Sequence, residues 1–405
     1  MTQVFRLPFQ DRATHPLAGA TVLQLIPDLE ENAAARAAID VAAALGEVGA
    51  RALIACVGGR LAGELQAKGG IFVPFPSRTK NPLVMALNTR RLARIIIAER
   101  ADVVHVHSRA LAWVAYGATR MTATPLVTTF RSGRQGSNPI AIRYNSVLAR
   151  GEAVLADSNY AAALARELYA PAEGKIRVVY QGINCRIFAP ETVTPDRVQA
   201  VRRHWKVAPH EQIVLVAAPV RHASSHKTLI EAARLLSRSG ATGVKFILAS
   251  GGKENSALNH GIDRAIAGEG LQGIMYRAVL DDRPAAYLAA AVVVAPATEA
   301  PGFAETTIQA QAMGTPVIAA NAGDAPEVVL APPRVAEPLR TGFLVKPFDA
   351  AALAVAIANV LCLGASAGGQ LSFRARQHVE AHFSTERILA GTLDAYAVLR
   401  HGGGR

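Results

Sequence analysis

Aromatic residues make up only 5% of this 405-residue chain, and cysteine is scarcer still, with three. Cys56, Cys185 and Cys362 lie far apart, without the spacing of metal ligands. That pattern points to free, buried thiols in a reducing compartment rather than a zinc site or a disulfide framework. No apolar run reaches the length needed to span a bilayer. The first residues, MTQVFRLPFQDR, lack the basic-then-apolar order of a signal peptide. The sequence therefore predicts a cytoplasmic protein. Acidic residues are also under-represented: 31 against 43 Lys and Arg, a net charge of +12. Such an excess suits nucleic acid, an anionic membrane surface or an anionic ligand. The absence of zinc spacing, of an RNP-like aromatic motif and of a lysine-rich tail argues against nucleic acid.

What the chain has is length and aliphatic content. Hydrophobic residues are 51% of it, enough for two domains with real cores. Strand and helix patterns alternate almost throughout. The first half predicts strands at Thr21–Ile26, Arg51–Val57, Ile71–Pro74, Asp102–His107, Leu126–Phe130, Ala153–Ser158 and Ile176–Tyr180, with helices between them. Gln181–Thr194 reads as a linker. A second series follows, with strands at Ile213–Ala218, Val244–Ala249, Ile274–Arg277, Val292–Pro296, Val317–Ala320 and Phe343–Val345. Two successive βα series define an α/β protein of two doubly wound, Rossmann-like parallel-sheet domains, 1–185 and 195–384. Ligands of such sheets lie at strand carboxyl ends, which makes the cleft between domains the expected site. An amphipathic helix at about Thr385–Arg400 closes the chain. Another carries Arg90, Arg91 and Arg94 beside Leu83, Leu87, Ile95 and Ile96, and suits either an anionic membrane surface or an ordinary solvated face.

The stretch APATEAPGFAETTIQAQAMGTPVIAANAGDAPEVV holds most of the functional information. It reads as a buried strand, a loop with Pro301 and Gly302, and a helix over Ala304–Met313 with Thr306 as its entry residue. Gly314 then stops the helix and Pro316 leads into the next strand. A helix N-terminus at a strand's carboxyl end offers free N–H groups and partial positive charge to a diphosphate. The bland reading is one more helix–strand repeat.

This stretch resembles the donor-sugar signature of family 4 glycosyltransferases of the GT-B fold. Further blocks in that family's style are LQLIPDLE at Leu23–Glu30, TKNP at Thr79–Pro82, HSRALAW at His107–Trp113, VTTF at Val127–Phe130, SNY at Ser158–Tyr160 and DDRPAAYLAAAVVVAPATE at Asp281–Glu299. The resemblance implies a hexosyltransferase of bacterial lipopolysaccharide or exopolysaccharide biosynthesis. A nucleotide sugar would be its donor and a lipid-linked or glycan acceptor its partner. It implies retention of anomeric configuration, no cofactor and no obligatory metal. It also implies that the last helix packs back on the N-terminal domain.

Departures from the family pattern are equally specific. Where a Gly-Gly pair is common on the acceptor side, this chain has Asn32-Ala33; where His-Gly is common after VTTF, it has Arg131-Ser132. Aligning on Gly314-Thr315-Pro316 puts Pro301 and Gln309 at two glutamate positions, with Glu299 two residues early and Glu305 between. The residues expected to hold the departing diphosphate are Arg221 with Lys227 or His226; Arg131 is a further catalytic candidate, expected to hold phosphate or an acidic acceptor or else to be solvated. Donor contacts are expected at Gly251, Glu299, Gly302, Phe303, Ala304 and Gln309, the last on the ribose. Asn32, Ala33 and His107 are expected on the acceptor side. For His107 a satisfied core histidine is the competing reading, and for Gly251-Gly252 a plain turn. Arg134 is expected to bind an acidic group or to be solvated. Asp324 reads as a helix cap, and GGRLAG at Gly58–Gly63 is too weak to be a nucleotide fingerprint. Two alternatives to a transferase remain: a catalytically inactive binding or scaffold protein that keeps the fold, and a nucleotide-sugar epimerase.

Overall fold

The computed structural model describes residues 15–79, 81–133, 138–170, 174–217, 223–250, 256–296 and 304–402. The chain forms two compact units, one running to Tyr180 and resuming at Glu386, the other spanning Gln181–Thr385.

The first unit starts with β1 (Thr21–Leu25), α1 (Ala33–Glu47), β2 (Arg51–Cys56), α2 (Ala62–Ala67), β3 (Ile71–Pro74) and α3 (Pro82–Ala98). It continues with β4 (Val103–Val106), α4 (Arg109–Thr122), β5 (Leu126–Phe130), α5 (Pro139–Asn145), β6 (Ala153–Ala156), α6 (Asn159–Tyr169) and β7 (Ile176–Val178). All seven strands are parallel, in the order β3-β2-β1-β4-β5-β6-β7. Strands flanked on both faces are mostly apolar, and β1, β4 and β6 are buried at every residue, Thr21, Gln24 and His105 being the polar exceptions. One core layer joins the sheet to α1 and to Leu389, Leu393 and Tyr396 of the last helix. The opposite layer joins it to α3, α4 and α6. Side-chain caps start the helices: Asn32 accepts from Ala35 N, Asn81 from Leu83 N and Ser158 from Ala161 N.

The second unit contains α7 (Pro195–His204), β8 (Gln212–Val216), α8 (Ala223–Arg238), β9 (Val244–Ser250), α9 (Ser256–Gly268), β10 (Met275–Val279), α10 (Arg283–Ala289) and β11 (Val292–Ala295). It ends with α11 (Glu305–Ala312), β12 (Val317–Ala320), α12 (Ala325–Val328), β13 (Phe343–Val345), α13 (Ala350–Leu361) and α14 (Ala365–Phe383). Its six parallel strands run β10-β9-β8-β11-β12-β13. Helices α8, α9 and α13 share one core layer with this sheet, and α11 packs on α14. Gly314 takes φ +72°, a left-handed turn that ends α11 without a Cβ penalty. The last helix, α15 (Thr385–Gly402), belongs to the first unit from Glu386 onward.

Three sequence expectations change. Of the three thiols only Cys56 is buried; Cys185 is partly buried and Cys362 exposed. Helix α11 starts one residue later than expected, and its N-cap is Ala304 rather than Thr306, with no side-chain cap. Asp324 holds the N-cap position of α12, but its side chain makes no cap bond. The GGRLAG segment has a structural use: Gly59 sits at φ +154°, and a Cβ there would lie 2.3 Å from the backbone carbon of Leu29. Leu29 N–H donates to Gly58 O and Leu61 N–H to Leu29 O, so two loops are laced backbone to backbone.

Candidate functional site

In the second unit the strand ends meet two helix N-termini that carry predicted residues. Helix α8 follows β8, and near its start Lys227 is exposed whereas His226 is buried. Of these two candidates for the second cation, Lys227 is the one presented to solvent. Helix α11 follows β11, and there the geometry is more specific. Gln309 is 4% exposed. Its Oε1 accepts from Tyr287 Oη at 2.9 Å and from Arg283 Nη1 at 3.4 Å, while its Nε2 donates to Glu305 Oε1 at 2.8 Å. Both lone pairs of the amide oxygen are engaged, and one N–H is spent on Glu305. The charge missing at position 309 is thus present one helical turn earlier, on the exposed first residue of α11. A carboxylate there is also favoured by the helix dipole. Tyr287 is fully buried, and that burial pushes its hydroxyl well above the usual phenol range, so it stays a donor.

Ala304 lies at the cap of α11, partly buried. Arg221, Gly251, Gly252, Glu299, Pro301, Gly302, Phe303 and Arg134 lie outside the described residues.

The first unit concentrates polar groups where β1, β4 and β5 end. His105 and His107 alternate on β4 and just beyond it, so both imidazoles lie on one face, their ring centroids 3.9 Å apart. His105 Nδ1 meets Tyr396 Oη at 2.6 Å, and its Nε2 meets Thr129 Oγ1 at 2.8 Å. His107 Nε2 lies 3.1 Å from Gln24 Oε1, and Gln24 Nε2 donates to Ala38 O at 2.9 Å. Because Gln24 uses its amide nitrogen on α1, its oxygen must accept. His107 is therefore protonated at Nε2, which leaves Nδ1 as its acceptor. Burial first, and the nearby Arg131 guanidinium second, lower the His107 pKa to about 3. His105 is likewise held well below the ordinary imidazole range by burial, His107 and Arg131. Both rings are neutral at physiological pH, so the fixed positive charge beside them belongs to Arg131, which follows β5.

Asn32 is exposed, with φ −145°, an ordinary extended conformation that needs no glycine. Its Oδ1 caps α1 and its Nδ2 donates to Asp28 at 3.0 Å. Asp28 is partly desolvated, which raises its pKa. Bonds from Arg78, the Glu30 N–H and Asn32 outweigh this and hold it below the usual carboxylate value. The Asn32-Ala33 pair is thus a helix start, with Ala33 its first residue.

Reasoning from the sequence missed His105, Gln24, Tyr287 and Arg283. The alternation in HVHS was the available signal for His105. Nothing local marks Tyr287, which reaches Gln309 only through packing. Among the described residues no group of His, Cys, Asp and Glu is arranged to hold a metal ion.

Two doubly wound parallel-sheet units, each with polar groups at its strand carboxyl ends, have the architecture of the GT-B class of protein. The comparisons with known proteins agree. Residues 34–186 match the family described as Glycosyltransferase Family 4, and residues 211–362 match Glycosyl transferases group 1. The chain belongs to the family 4 glycosyltransferases. A curated relative, the D-inositol 3-phosphate glycosyltransferase of Streptomyces avermitilis, is 26% identical over 314 residues, 73% of this chain. The match spans 65% of that relative's length. A crystal structure of a glycosyltransferase from Rickettsia africae is similar, with TM-score 0.82, 28% identity and coverage of 94% of this chain and 98% of that one. Anabaena HepE, solved in complex with UDP and glucose, shares the fold at TM-score 0.75 and 19% identity, over 93% of this chain and 98% of that one.

Proposed function

We propose that this chain moves a hexose from a nucleoside diphosphate sugar to a lipopolysaccharide or exopolysaccharide acceptor in the cytoplasm, with retention of anomeric configuration and without a metal or cofactor. The observation that carries this reading is the network at the start of α11. Tyr287 and Arg283 fix the Gln309 amide, and the amide fixes the Glu305 carboxylate at a helix N-terminus beside the end of β11. A buried polar network with an exposed outlet is costly to build unless it positions something. In this reading Glu305 faces the hydroxyls of the donor ribose and Gln309 holds it in place. Helix N–H groups and Lys227, with Arg221, carry the charge that develops on the departing diphosphate.

On the acceptor side His107 is an acceptor of hydrogen bonds rather than a general base. A site with pKa about 3 does not retain a proton at neutral pH. It orients the attacking hydroxyl through Nδ1, and the leaving diphosphate oxygen takes the proton. The similarity to an enzyme named for inositol 3-phosphate fits an acceptor that carries an anionic group, for which Arg131 is the cation at hand.

A second reading, an inactive binding protein of the same fold, is favoured by one observation: the Gln309 amide already has partners within the chain. Incubation with UDP-, GDP- and ADP-sugars, with titration calorimetry in parallel, separates the two. Binding with slow hydrolysis supports the transferase. Binding without turnover on a native lipid-linked acceptor supports the second reading, and no nucleotide affinity defeats both.

A further inference from the structure

Helix α3 has two unlike faces. At 100° per residue, Asn88, Leu92 and Ile96 fall on one side, and all are buried. Ile95 leans on the same core, so Ile95 and Ile96 do not belong to the outer stripe that the sequence suggested. The outer stripe consists of Leu83, Leu87, Arg90, Arg94 and Ile97, within about 80° of one another, flanked by Val84 and Arg91. Its apolar members are not shielded by neighbours: Leu83 is 77% exposed, Leu87 63% and Ile97 67%. Helix α4 extends the surface. It lies close against α3 where Gly117 meets Thr89, and a Cβ at Gly117 would come within 2.7 Å of Thr89 Cγ2. One turn on, Arg120 and Met121 are exposed, Met121 at 61%.

The charge on this surface has one sign. Neither α3 nor α4 contains a single Asp or Glu. Among the described residues Arg90, Arg91 and Arg94 make no ion pair, although elsewhere on this unit arginines find carboxylates, as Arg51 does with Glu99 and Arg78 with Asp28. An ordinary solvated helix face interleaves both signs and shows few large apolar side chains. A row of leucine and isoleucine separated only by arginines has the opposite composition. Apolar side chains that reach a few ångströms into the acyl boundary, with guanidinium groups at phosphate level, fit an anionic lipid interface. The inner face of the helix is committed to the core, so α3 can lie on such a surface without leaving the domain.

We propose that the outer face of α3, extended by the end of α4, docks on an anionic phospholipid bilayer. The proposal deepens the reading given above in one respect only: a lipid-linked acceptor is found at such a surface. No single described helix is long and apolar enough to cross a membrane, so the contact is peripheral.

Sedimentation of the full chain with vesicles of phosphatidylcholine, with or without 30% phosphatidylglycerol, tests this. The expected result is binding to the anionic vesicles at least tenfold tighter than to phosphatidylcholine alone. Leu83→Asp/Leu87→Asp and Arg90→Gln/Arg91→Gln/Arg94→Gln should each weaken it by about tenfold or more, with circular dichroism and UDP titration unchanged. A gain-of-signal variant covers the case of a misfolded mutant: Leu87→Trp should shift its emission to the blue when anionic vesicles are added. Wild-type chain that stays in the supernatant, or variants that bind as well as wild type, would overturn the proposal, as would an unshifted Leu87→Trp spectrum. If UDP still binds in those cases, the transferase reading survives. If UDP does not bind while vesicles do, that reading fails and this one stands.

Discussion

His105 and Tyr396 meet at 2.6 Å, imidazole nitrogen to phenol oxygen, across 291 residues of chain. One group comes from the central sheet and the other from the last helix, and both are buried. Tyr396→Phe keeps the ring and removes the hydroxyl, so His105 Nδ1 is left buried without its partner. Leaving such a group unpaired costs about 1–3 kcal/mol. Denaturant unfolding of the first unit should move by that amount, while UDP affinity measured under native conditions stays the same. A neutral result would show that water replaces the bond.

The two neutral histidines make stability depend on pH. Their folded-state pKa values lie below that of a free imidazole, so the unfolded chain binds protons first as pH falls. Stability is therefore flat above about pH 7 and drops below about 6.5, by up to about 1.4 kcal/mol per pH unit for each histidine. Urea titrations at pH 7.5, 6.0 and 5.0 should show the drop, and His107→Gln should flatten the slope. An unchanged slope in that variant would assign the proton uptake elsewhere, His378 being the next candidate, a partly buried imidazole with a pKa lowered to about 4 by burial first and His382 second.

Gln309→Leu removes the acceptor for Tyr287 and the donor that orients Glu305. The Tyr287 hydroxyl is buried, so a loss of about 1–3 kcal/mol of stability is expected. Glu305→Gln should leave stability within about 0.5 kcal/mol, because the residue is exposed. The same variant should weaken UDP binding more than it weakens 2′-deoxy-UDP binding. Equal weakening of both would take the carboxylate away from the ribose.

At Gly59 an alanine Cβ would sit 2.3 Å from the Leu29 carbon and 2.7 Å from Glu30 N, both backbone atoms that cannot step aside. Gly59→Ala should cost roughly 2 kcal/mol or more, measured as a fall in the unfolding midpoint. Gly63→Ala, with open space around it, serves as the control and should be close to neutral or slightly stabilising.

Much of the fold is legible in the sequence because strands of a parallel sheet are short runs rich in aliphatic and β-branched residues, at the exposed edge as well as in the buried centre. LVTTF and IFVP declare themselves, and the observed strands agree with them residue for residue at Leu126–Phe130 and Ile71–Pro74. Helix starts are read less well. Asn32 departs from a glycine pattern, and only its hydrogen bonds show that it caps α1. The site is least legible of all. The partners of Gln309 are Glu305, one turn away and visible in the sequence, and Tyr287 and Arg283, brought to it only by the packing of α10 against α11. Likewise HVHS places both histidines on one face, but no local pattern says that a tyrosine of the last helix reaches one of them. Side-chain satisfaction is a property of three-dimensional neighbours, and a period of two or 3.6 does not encode it.

Helix α15 gives the first-made half of the chain its last piece of core. Leu389, Leu393 and Tyr396 complete the layer over β1 and α1, and burying each leucine contributes about 1.5–3 kcal/mol. On the ribosome, residues 15–180 emerge long before those side chains exist. That unit must wait, incomplete, until Leu389, Leu393 and Tyr396 have been made. A premature stop codon just ahead of Glu386 would thus do its damage in the unit that runs to Tyr180, more than 200 residues before the lesion, and holdase chaperones should find their target there.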